Sequence, residues 1–380
     1  MRIKVGVIFG GETVEHEVSI ISAIQAMNKI DEEKYEVIPI YITKDREWYT
    51  GDMLKDIEVY KDFSLIKKYS DNVVLYYKDG SYVLQKKHGL FKSVVKELDI
   101  AFPIVHGTNV EDGVLQGYLQ TIGIPYVGPN VYAAVVGQDK AFMKDVWASA
   151  NLPIKNYVWF YDNDYRQDPE EVIKKVSKLK YPVIVKPATT GSSVGINVCD
   201  DESSLKEAID EAVQYDSKIV VEEVVEDLKE VNIAVMGNYE HQKVSEIEEV
   251  LSGNKFLTYT DKYIGGGKTK GKLKTPVKGA SKGMASASRK LPADLDDDVR
   301  KEVERVAKEA FKVLGSSGNS RIDFLIDRKD NKVYLNEINS IPGSLAFYLW
   351  DAKDINFTKV LDDMINIGIK DYKKRVSKTH

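Results

Sequence analysis

A lysine followed by a loop of small residues is the first feature of this chain that suggests chemistry. An apolar run, 183–185, leads to Lys186, and the segment from Ala188 to Gly195 is rich in Thr, Ser and Gly. The backbone N–H groups and hydroxyls of such a loop can bind phosphate oxygens, while the lysine supplies positive charge. The residue order differs from G-x-x-x-x-G-K-[ST], so the loop is not a Walker P-loop. A plain hairpin turn is the alternative.

Acidic and amide side chains recur near the C-terminus at the spacing of a β-hairpin, which we predict within 321–339. Period-two alternation places Arg321 and Asp323 on one face of the first strand, and Glu337 and Asn339 on one face of the second. If the two faces coincide, two carboxylates and an amide oxygen converge. This all-oxygen set suits Mg²⁺ held jointly with phosphates. The alternative is a surface hairpin whose solvated acids pair with the arginine.

Two weaker features concern a nucleotide and a histidine. An acidic pair, Glu222 and Glu223, lies in an apolar run that ends at Val225, and Glu230 opens the next predicted strand. A purine can dock on such a segment through backbone hydrogen bonds, and a carboxylate can accept from ribose hydroxyls. Surface acids at strand ends are the alternative. His106, beside a glycine at a strand end, is either a site residue or a structural histidine.

A Gly- and Lys-rich stretch with little periodicity, 252–283, is predicted to be a mobile lid loop. Residues 262–282 hold seven Lys and five Gly with no acid among them. A flexible cationic flap can close over a polyphosphate and exclude water, whereas a solvated linker is the alternative. The aromatic residues Phe256, Tyr259 and Tyr263 favour a lid.

Alternating strand and helix patterns must position these residues, and they favour a parallel α/β sheet at the N-terminus. We expect an N-terminal α/β domain over 1–128, with an inserted hairpin region at 44–98. A central domain over 129–224 and a C-terminal domain over 225–380 follow.

Composition excludes several classes of function. The 380 residues carry 54 Lys plus Arg against 59 Asp plus Glu, a net charge of -5, so no overall basic surface is available for nucleic acid. The single cysteine, Cys199, rules out a disulfide framework within a monomer and suits a reducing cytoplasm. No stretch approaches the roughly 18 apolar residues of a membrane span. We therefore expect a soluble multidomain protein without nucleic-acid or membrane partners.

Taken together, the motifs resemble the ATP-grasp superfamily, and specifically the D-alanine:D-alanine ligases. The matching segments are, in chain order, Gly10-Gly11, Glu15-His16-Glu17-Val18-Ser19, His106-Gly107, Glu111-Asp112-Gly113, Gln116-Gly117, Asp139-Lys140, Val185-Lys186-Pro187, Gly191-Ser192-Ser193-Val194-Gly195, Lys262-Tyr263, Arg321-Ile322-Asp323, Asn336-Glu337-Ile338-Asn339 and Pro342-Gly343. The resemblance implies an α/β ATP-grasp fold of three domains with an N-terminal Rossmann-like parallel sheet. ATP would lie between two sheets, with the amino acids at the domain junction.

The resemblance also implies which residues bind the nucleotide and its metal ions. The nucleotide-binding residues would be Lys140, Lys186, Ser192, Ser193, Glu222, Val225, Glu230 and Lys262, with Glu222 and Val225 at the adenine and Glu230 at the ribose. Asp323, Glu337 and Asn339 would be the ligands of two Mg²⁺ ions, for which Mn²⁺ can substitute.

Further roles are implied at the amino-acid substrates. Glu15 would bind the ammonium of the first D-alanine, and Ser192 and Tyr263 would join it in a hydrogen-bonded link that closes the lid. The catalytic set is completed by Arg321 and the backbone N–H of Gly343, which would form the oxyanion site. His106, Tyr348 and Leu349 are further substrate-binding candidates, although Tyr348 stands where the family usually has a serine that helps to bind the second carboxylate.

The implied activity is ATP-dependent ligation of two D-alanines through an acyl phosphate, for peptidoglycan synthesis, by a cytoplasmic homodimer. Tyr263 in place of phenylalanine favours an amine over a hydroxy acid as the nucleophile. Two alternatives stay open. One is a related ligase that joins D-alanine to another D-amino acid such as D-serine, and the other is a non-catalytic nucleotide-binding protein.

Overall fold

A computed structural model describes residues 2–89, 92–191, 194–251 and 288–378. The strands are β1 (Ile3–Gly10), β2 (Tyr35–Ile42), β3 (Trp48–Thr50), β4 (Asp71–Lys78), β5 (Ser81–Lys86), β6 (Val94–Leu98), β7 (Ile100–Pro103), β8 (Tyr157–Tyr161), β9 (Val183–Pro187), β10 (Asn197–Cys199), β11 (Lys218–Glu223), β12 (Leu228–Gly237), β13 (Gln242–Leu251), β14 (Ser288–Lys290), β15 (Gly318–Asp327) and β16 (Lys332–Asn339). The helices are α1 (His16–Met27), α2 (Phe63–Tyr69), α3 (Val114–Ile122), α4 (Val131–Gln138), α5 (Lys140–Ser149), α6 (Asp162–Gln167), α7 (Pro169–Val176), α8 (Glu202–Ala212), α9 (Asp297–Val313), α10 (Phe347–Asp351) and α11 (Phe357–Val376).

The N-terminal sheet has seven strands in the order β6-β5-β4-β3-β2-β1-β7. The parallel arrangement expected from the sequence is confirmed at its centre, where β1 pairs in parallel with both β2 and β7. The hairpin expected within 44–98 is formed by β4 and β5, but the same segment also supplies β3 and β6. All four strands extend one sheet, because their buried residues, such as Val73, Leu75 and Leu84, join the core of the parallel strands.

The central sheet is antiparallel, in the order β10-β9-β11-β8. Strand β11 alternates strictly, so Ile219 and Val221 face a core built from α6, α7 and α8. The opposite face carries Lys218, Val220 and Glu222, and α5 packs against it through Ala141. Polar residues on this second face are therefore buried between a sheet and a helix.

The C-terminal sheet runs in the order β14-β13-β12-β15-β16. One face, which includes Ile233, Ile322 and Phe324, packs on the apolar stripe of α9. The other face holds the residues predicted to bind metal. Strand β13 was not predicted from the sequence.

The helical sequence pattern that follows Pro129 and continues to about Ala150 predicts one long helix, but the structure divides this segment into α4 and α5. The backbone of Asp139 is extended, with φ -94 and ψ 105, and its carboxylate accepts hydrogen bonds from the N–H groups of Ala141 and Phe142. This N-cap ends one helix and begins the next, because it satisfies N–H groups that have no partner within the new helix. As a result, Lys140 lies in the first turn of α5.

The N-terminal sheet and the C-terminal helices share one hydrophobic core, which includes Phe9, Trp350 and Leu361. The sheets match the three predicted domains in number, while the domain boundaries themselves stay predictions. Within the part of the chain that the structure describes, no helix is both long enough and apolar enough to cross a membrane.

Candidate active site between two sheets

The face of the C-terminal sheet that points away from α9 carries the residues of the predicted acidic hairpin. Arg321 pairs with Asn339 and Asp323 with Glu337 across β15 and β16, so the predicted coincidence of the two faces is confirmed. The Asp323 carboxylate is 3% exposed and accepts from Nε and Nη2 of Arg321, both at 2.7 Å. Asn339 Nδ2 donates to the same carboxylate at 3.3 Å. Two carboxylates, an amide and a guanidinium therefore share one small surface.

A β-bulge in β16 brings a further amide, Asn336, into the site. Pairing passes from Asp323–Glu337 to Phe324–Leu335, which leaves Asn336 as the additional residue. A bulge re-aims the side chain of its extra residue. The Oδ1 atom of Asn336 accepts a hydrogen bond from Lys186 Nζ of the central sheet at 3.3 Å. This contact joins the two sheets across the gap between them.

The facing side of the central sheet is dominated by lysines around one carboxylate. Glu222 is 2% exposed, and it pairs with Lys186 through Oε1 and with Lys144 through Oε2, the second at 2.6 Å. Burial alone would raise the pKa of Glu222, but the two ammonium groups lower it to about 2. Glu222 is therefore ionised at neutral pH, and its charge stabilises two buried cations.

Helix α5 places a third lysine beside the predicted phosphate loop. Lys140 Nζ donates to the Thr190 carbonyl oxygen at 2.8 Å. Burial lowers the pKa of Lys140, while the nearby carboxylate of Glu337 raises it. The influence of Glu337 shows that the cationic face and the acidic face lie close together.

Glu15 lies where the N-terminal and central sheets approach each other. A Cβ atom built on Gly107 would lie 3.1 Å from Glu15 Oε2, and one built on Gly191 would lie 3.4 Å from the same atom. Gly107 also has a φ of +86°, which residues with a side chain rarely adopt. These glycines leave the carboxylate room beside the phosphate loop.

His106 is buried and bridges the N-terminal and C-terminal domains. Its Nδ1 atom lies 2.8 Å from the Ile341 carbonyl oxygen, and its Nε2 atom lies 3.0 Å from Ser22 Oγ. Burial lowers the pKa of His106 to about 4, so the imidazole is neutral at pH 7. A neutral ring with its proton on Nδ1 donates to Ile341 and accepts from Ser22.

The predicted second-substrate residues occupy different environments. The Tyr348 hydroxyl donates to Glu248 Oε1 at 2.6 Å, and the guanidinium of Arg289 lies 4.6 Å from the centre of the Tyr348 ring. Burial, with the charge of Glu248, raises the pKa of Tyr348 above its ordinary value. The Leu349 side chain is fully buried in the N-terminal core. Its predicted role in substrate binding stays a prediction.

The remaining predicted residues are placed in part. Val225 is 4% exposed, and Glu230 lies on β12, on the same face as Asn232 and Asp323. Gly343 begins a 3₁₀ turn that directly follows β16 and the Ser340–Pro342 segment. The residues that lie outside the described part of the chain are Ser192, Ser193, Lys262 and Tyr263, with the lid loop 252–283.

The residues predicted to bind metal ions can be judged by their position and their chemistry. Within residues 2–89, 92–191, 194–251 and 288–378, no group of three or more His, Cys, Asp or Glu side chains is arranged to hold a metal ion. The predicted ligands are two carboxylates and one amide, Asp323, Glu337 and Asn339, and they do meet on one face. Carboxylate and amide oxygens are ligands that Mg²⁺ prefers, so the chemistry of this set fits the ion.

Sequence reasoning missed several residues of the site. Lys144 follows Lys140 by four positions, which places both on one side of α5, and this spacing was the available signal. Asn336 and Glu111 stood in matching segments without an assigned role. Glu248 and Arg289 gave no local signal, because their contacts with Tyr348 join distant parts of the chain.

Matches to family models and to a full-length relative extend over almost the whole chain. The family models described as D-ala D-ala ligase N-terminus and D-ala D-ala ligase C-terminus match residues 4–129 and 146–366. A D-alanine–D-alanine ligase of Thermosipho africanus is 38% identical over 379 residues, covering 100% of this chain and 96% of the relative.

Two solved structures are similar in fold. The D-alanine-D-alanine ligase of Coxiella burnetii has a TM-score of 0.82 at 27% identity and covers 99% of this chain and 96% of its own. The VanG D-Ala:D-Ser ligase of Enterococcus faecalis has a TM-score of 0.78 at 28% identity, with 97% and 100% covered.

The central and C-terminal sheets present charged faces of opposite sign, and these faces meet at the contact between Lys186 and Asn336. This arrangement, together with the similarity to the two solved structures, places the chain among the ATP-grasp enzymes. Both family models and the full-length relatives agree on the subgroup. The chain belongs to the D-alanine–D-alanine ligase family.

Proposed function

We propose that the protein joins two D-alanines to D-alanyl-D-alanine in the cytoplasm, with ATP as the source of the activating phosphate. The observation that carries the proposal is the meeting of three lysines with the face of the C-terminal sheet that bears Asp323 and Glu337. Lys186 lies on the central sheet, and Lys140 and Lys144 lie on the helix that packs against it. A lysine-rich face suits the phosphates of a nucleotide, and an acidic face suits the cations that accompany it.

The nucleotide would lie in the gap between the two sheets. Lys140 and Lys186 would contact its phosphates, with Val225 and Glu222 at the adenine and Glu230 at the ribose. Support comes from the contact of Lys140 with Thr190 in the predicted phosphate loop and from the contact of Lys186 with Asn336 across the gap. Ser192, Ser193 and Lys262 are proposed to complete the phosphate site.

Asp323, Glu337 and Asn339 would hold two Mg²⁺ ions, or Mn²⁺ in their place. When bound, such ions neutralise the negative charge that repels an attacking carboxylate from a polyphosphate. The fit of this oxygen-only set supports the proposal. Arg321 now binds Asp323 and would share that carboxylate with the cations.

The reaction follows from the weakness of a carboxylate as an electrophile. A carboxylate oxygen of the first D-alanine bonds to the γ-phosphorus of ATP and ADP leaves. The amine of the second D-alanine then bonds to the acyl carbon, phosphate leaves, and the amine loses a proton. Holding the amine beside the acyl phosphate can lower the barrier by roughly 7 to 11 kcal/mol.

The chain's own residues would orient these partners. Glu15 would bind the ammonium of the first D-alanine, which fits its position between the Gly107 and Gly191 loops. Arg321 and the Gly343 N–H would stabilise the oxyanion at the acyl carbon. Ser192, Tyr263 and the lid would keep water from the acyl phosphate.

The identity of the acceptor can be tested by offering the protein different second substrates. Purified protein with ATP and Mg²⁺ should release ADP with D-alanine, and mass spectrometry should detect D-alanyl-D-alanine. A screen of D-serine and D-lactate as acceptors, each with D-alanine, tests specificity. Preferential formation of D-alanyl-D-serine would favour the alternative that Tyr348 and the similarity to VanG raise. Nucleotide binding without ADP release under any pairing would favour a non-catalytic protein.

The protein is also proposed to act as a homodimer. Apolar side chains on α3 and α4 are exposed, with Val114 at 61%, Tyr132 at 79% and Val135 at 43%, and such a surface is typical of a protein interface. Light scattering coupled to gel filtration should give twice the 42.8 kDa monomer mass. The variant Tyr132→Glu should shift the protein toward the monomer.

A further inference from the structure

The backbone of Ile341 is held at both its N–H and its carbonyl by one loop of the N-terminal domain. Its N–H donates to Glu111 Oε1 at 3.0 Å, and its carbonyl oxygen accepts from His106 Nδ1 at 2.8 Å. His106 and Glu111 both lie in the loop between β7 and α3. Ile341 lies two residues after Asn339 and two residues before Gly343. The held peptide is therefore centred between a proposed metal ligand and the proposed oxyanion donor.

Glu111 binds three donors inside the protein. In addition to Ile341, it accepts from Ser340 Oγ at 3.1 Å and from the Gly107 N–H at 3.0 Å. Its side chain is 8% exposed. Within the described residues its hydrogen-bond partners are neutral N–H and O–H groups, in contrast to Glu222 and Asp323, which pair with cations. A buried carboxylate held by donors alone fixes the geometry of those donors.

Ser22 of α1 holds the other end of the same segment. Its Oγ atom accepts from the Ser344 N–H at 2.8 Å and lies 3.0 Å from His106 Nε2. Ser344, Leu345 and Ala346 have φ values of 50°, 51° and 47°. Three consecutive left-handed residues with side chains are unfavourable and persist only where the surroundings hold them. Asn319 Nδ2 adds a hydrogen bond of 2.6 Å to the Leu345 carbonyl oxygen.

We propose that Glu111, His106 and Ser22 are positioning residues, which hold the segment from Asn339 to Gly343 in the geometry that ligation requires. The inference rests on the proposed function, because it assigns the three residues to that same site. They act through the backbone of residues 340–344 and need not contact substrate. On this view His106, considered above as a substrate-binding residue, instead orients the peptide next to the oxyanion donor.

The first test replaces the acceptor of Glu111 without changing its size. In Glu111→Gln one oxygen becomes an NH₂ group, which faces either the Gly107 N–H or the donors of residues 340 and 341, so two donors oppose each other. We expect kcat to fall about tenfold or more at pH 8, the range of loss that supporting partners of metal ligands show. Mn²⁺ binding with ADP, followed by electron paramagnetic resonance, should weaken by a similar factor, with KM for ATP little changed.

Glu17→Gln is the matched control for this variant. Glu17 lies on α1 of the same domain, and its exposed carboxylate pairs with Lys44 at 2.6 Å. The same chemical change there should leave kcat and Mn²⁺ binding at wild-type values. Thermal unfolding of both variants separates a loss of fold from a loss of positioning.

The second test uses two serines of one helix and does not depend on the stability of the first variant. Ser22→Ala removes the contact with Ser344 and His106 and should lower kcat several-fold. Ser19 lies three residues earlier in α1 and is also buried, and its Oγ atom bonds Gly10 and Ile104 instead. Ser19→Ala should cost comparable stability while kcat stays at the wild-type value.

The outcomes separate the two proposals. A wild-type protein that releases no ADP with any amino-acid pair rejects the proposed function, and the positioning roles are then rejected with it. An active wild type with unchanged kcat and Mn²⁺ binding in Glu111→Gln overturns the positioning proposal alone. Equal losses of kcat in Ser22→Ala and Ser19→Ala would also overturn it, because they would reflect stability only.

Discussion

The two faces of the proposed nucleotide site are opposite in charge but alike in construction. On the side of the central sheet, Lys186, together with Lys144 of α5, pairs with one carboxylate, Glu222, whereas on the C-terminal sheet Arg321 pairs with Asp323, which lies opposite Glu337. In each case the minority charge neutralises part of the buried majority charge. Each face is therefore partly compensated within its own domain, so neither requires a ligand for its charges to be buried.

Under the proposed function the partial compensation would also have a chemical use. Lys186 is shared between Glu222 and Asn336, and Arg321 holds Asp323 at 2.7 Å. On entry of a polyphosphate and its cations, these side chains would exchange one partner for another and avoid an unpaired state. The exchange would lower the desolvation cost of binding, because the groups are already removed from water.

Loss of a cation that faces the phosphates should give the largest effect. We expect Lys186→Met to lower kcat/KM for ATP by about 10²- to 10³-fold, as removal of one oriented electrostatic partner typically does. Initial rates of ADP release measure the effect. Lys180→Met serves as the control, since Lys180 is exposed on the same domain, and its rates should match the wild type. A loss below threefold in Lys186→Met would reject the cationic face as the phosphate site.

Loss of the second partner of Glu222 should act on stability. Lys144 is 1% exposed, and Lys144→Met leaves a buried carboxylate with one cation in place of two. Breaking a buried ion pair from one side costs about 3 to 5 kcal/mol, and we expect a decrease in the free energy of unfolding near 3 kcal/mol because Lys186 remains. Urea titration measures it. Lys206→Met, which breaks an exposed pair with Glu202, should leave the urea midpoint unchanged, because exposed ion pairs contribute little to stability.

Glu111 differs from the carboxylates of both faces, because in the part of the chain that the structure describes it bonds N–H and O–H donors and no cation. Burial and the charge of Glu15 raise its pKa from 4.5 to about 7, although the three donors lower it. The folded protein thus binds this proton more tightly than the unfolded chain does, so the stabilisation is present below pH 4.5 and is lost as pH rises through about 7. Relative to Glu111→Gln, the wild type should lose about 3 kcal/mol of unfolding free energy between pH 4.5 and pH 8. Urea titrations at several pH values measure the difference, and parallel curves would contradict the shift.

The contact between the two faces should matter least. Asn336→Ala removes one hydrogen bond that the Lys186 ammonium donates to a neutral amide oxygen, and at the long distance of 3.3 Å its contribution is about 1 kcal/mol. We expect the affinity for ADP, measured by calorimetry, to fall about fivefold, with no change in the stability of either sheet. An unchanged affinity would mean that the two faces approach each other independently of this bridge.

The sequence was sufficient for the local parts of this site. Period-two alternation placed Arg321, Asp323, Glu337 and Asn339 on one face because the rule depends only on strand geometry. The same rule fails at Asn336, since a bulge inserts one residue and no local pattern marks it. The break between α4 and α5 has a visible cause in the sequence, because Asp139 is an N-capping residue. The helical pattern on both sides of it nevertheless predicts one longer helix.

Long-range contacts were beyond prediction from local pattern. Glu111 and Ile341 are 230 positions apart, and Tyr348 and Glu248 are 100 apart. Their meeting is set by how whole sheets pack, and spacing along the chain carries no record of it. The resemblance identified the family and its motifs, and it gave no indication that His106 bonds a backbone carbonyl.

The shared core of the N-terminal sheet and α11 bears on how the protein is made. Val360, Leu361 and Ile365 of α11 belong to the same hydrophobic core as β1 residues that leave the ribosome more than three hundred residues earlier. The core of the first domain therefore stays incomplete, with part of its apolar surface uncovered, until α11 has been synthesised. Such sequence-distant closure slows folding and prolongs exposure to aggregation.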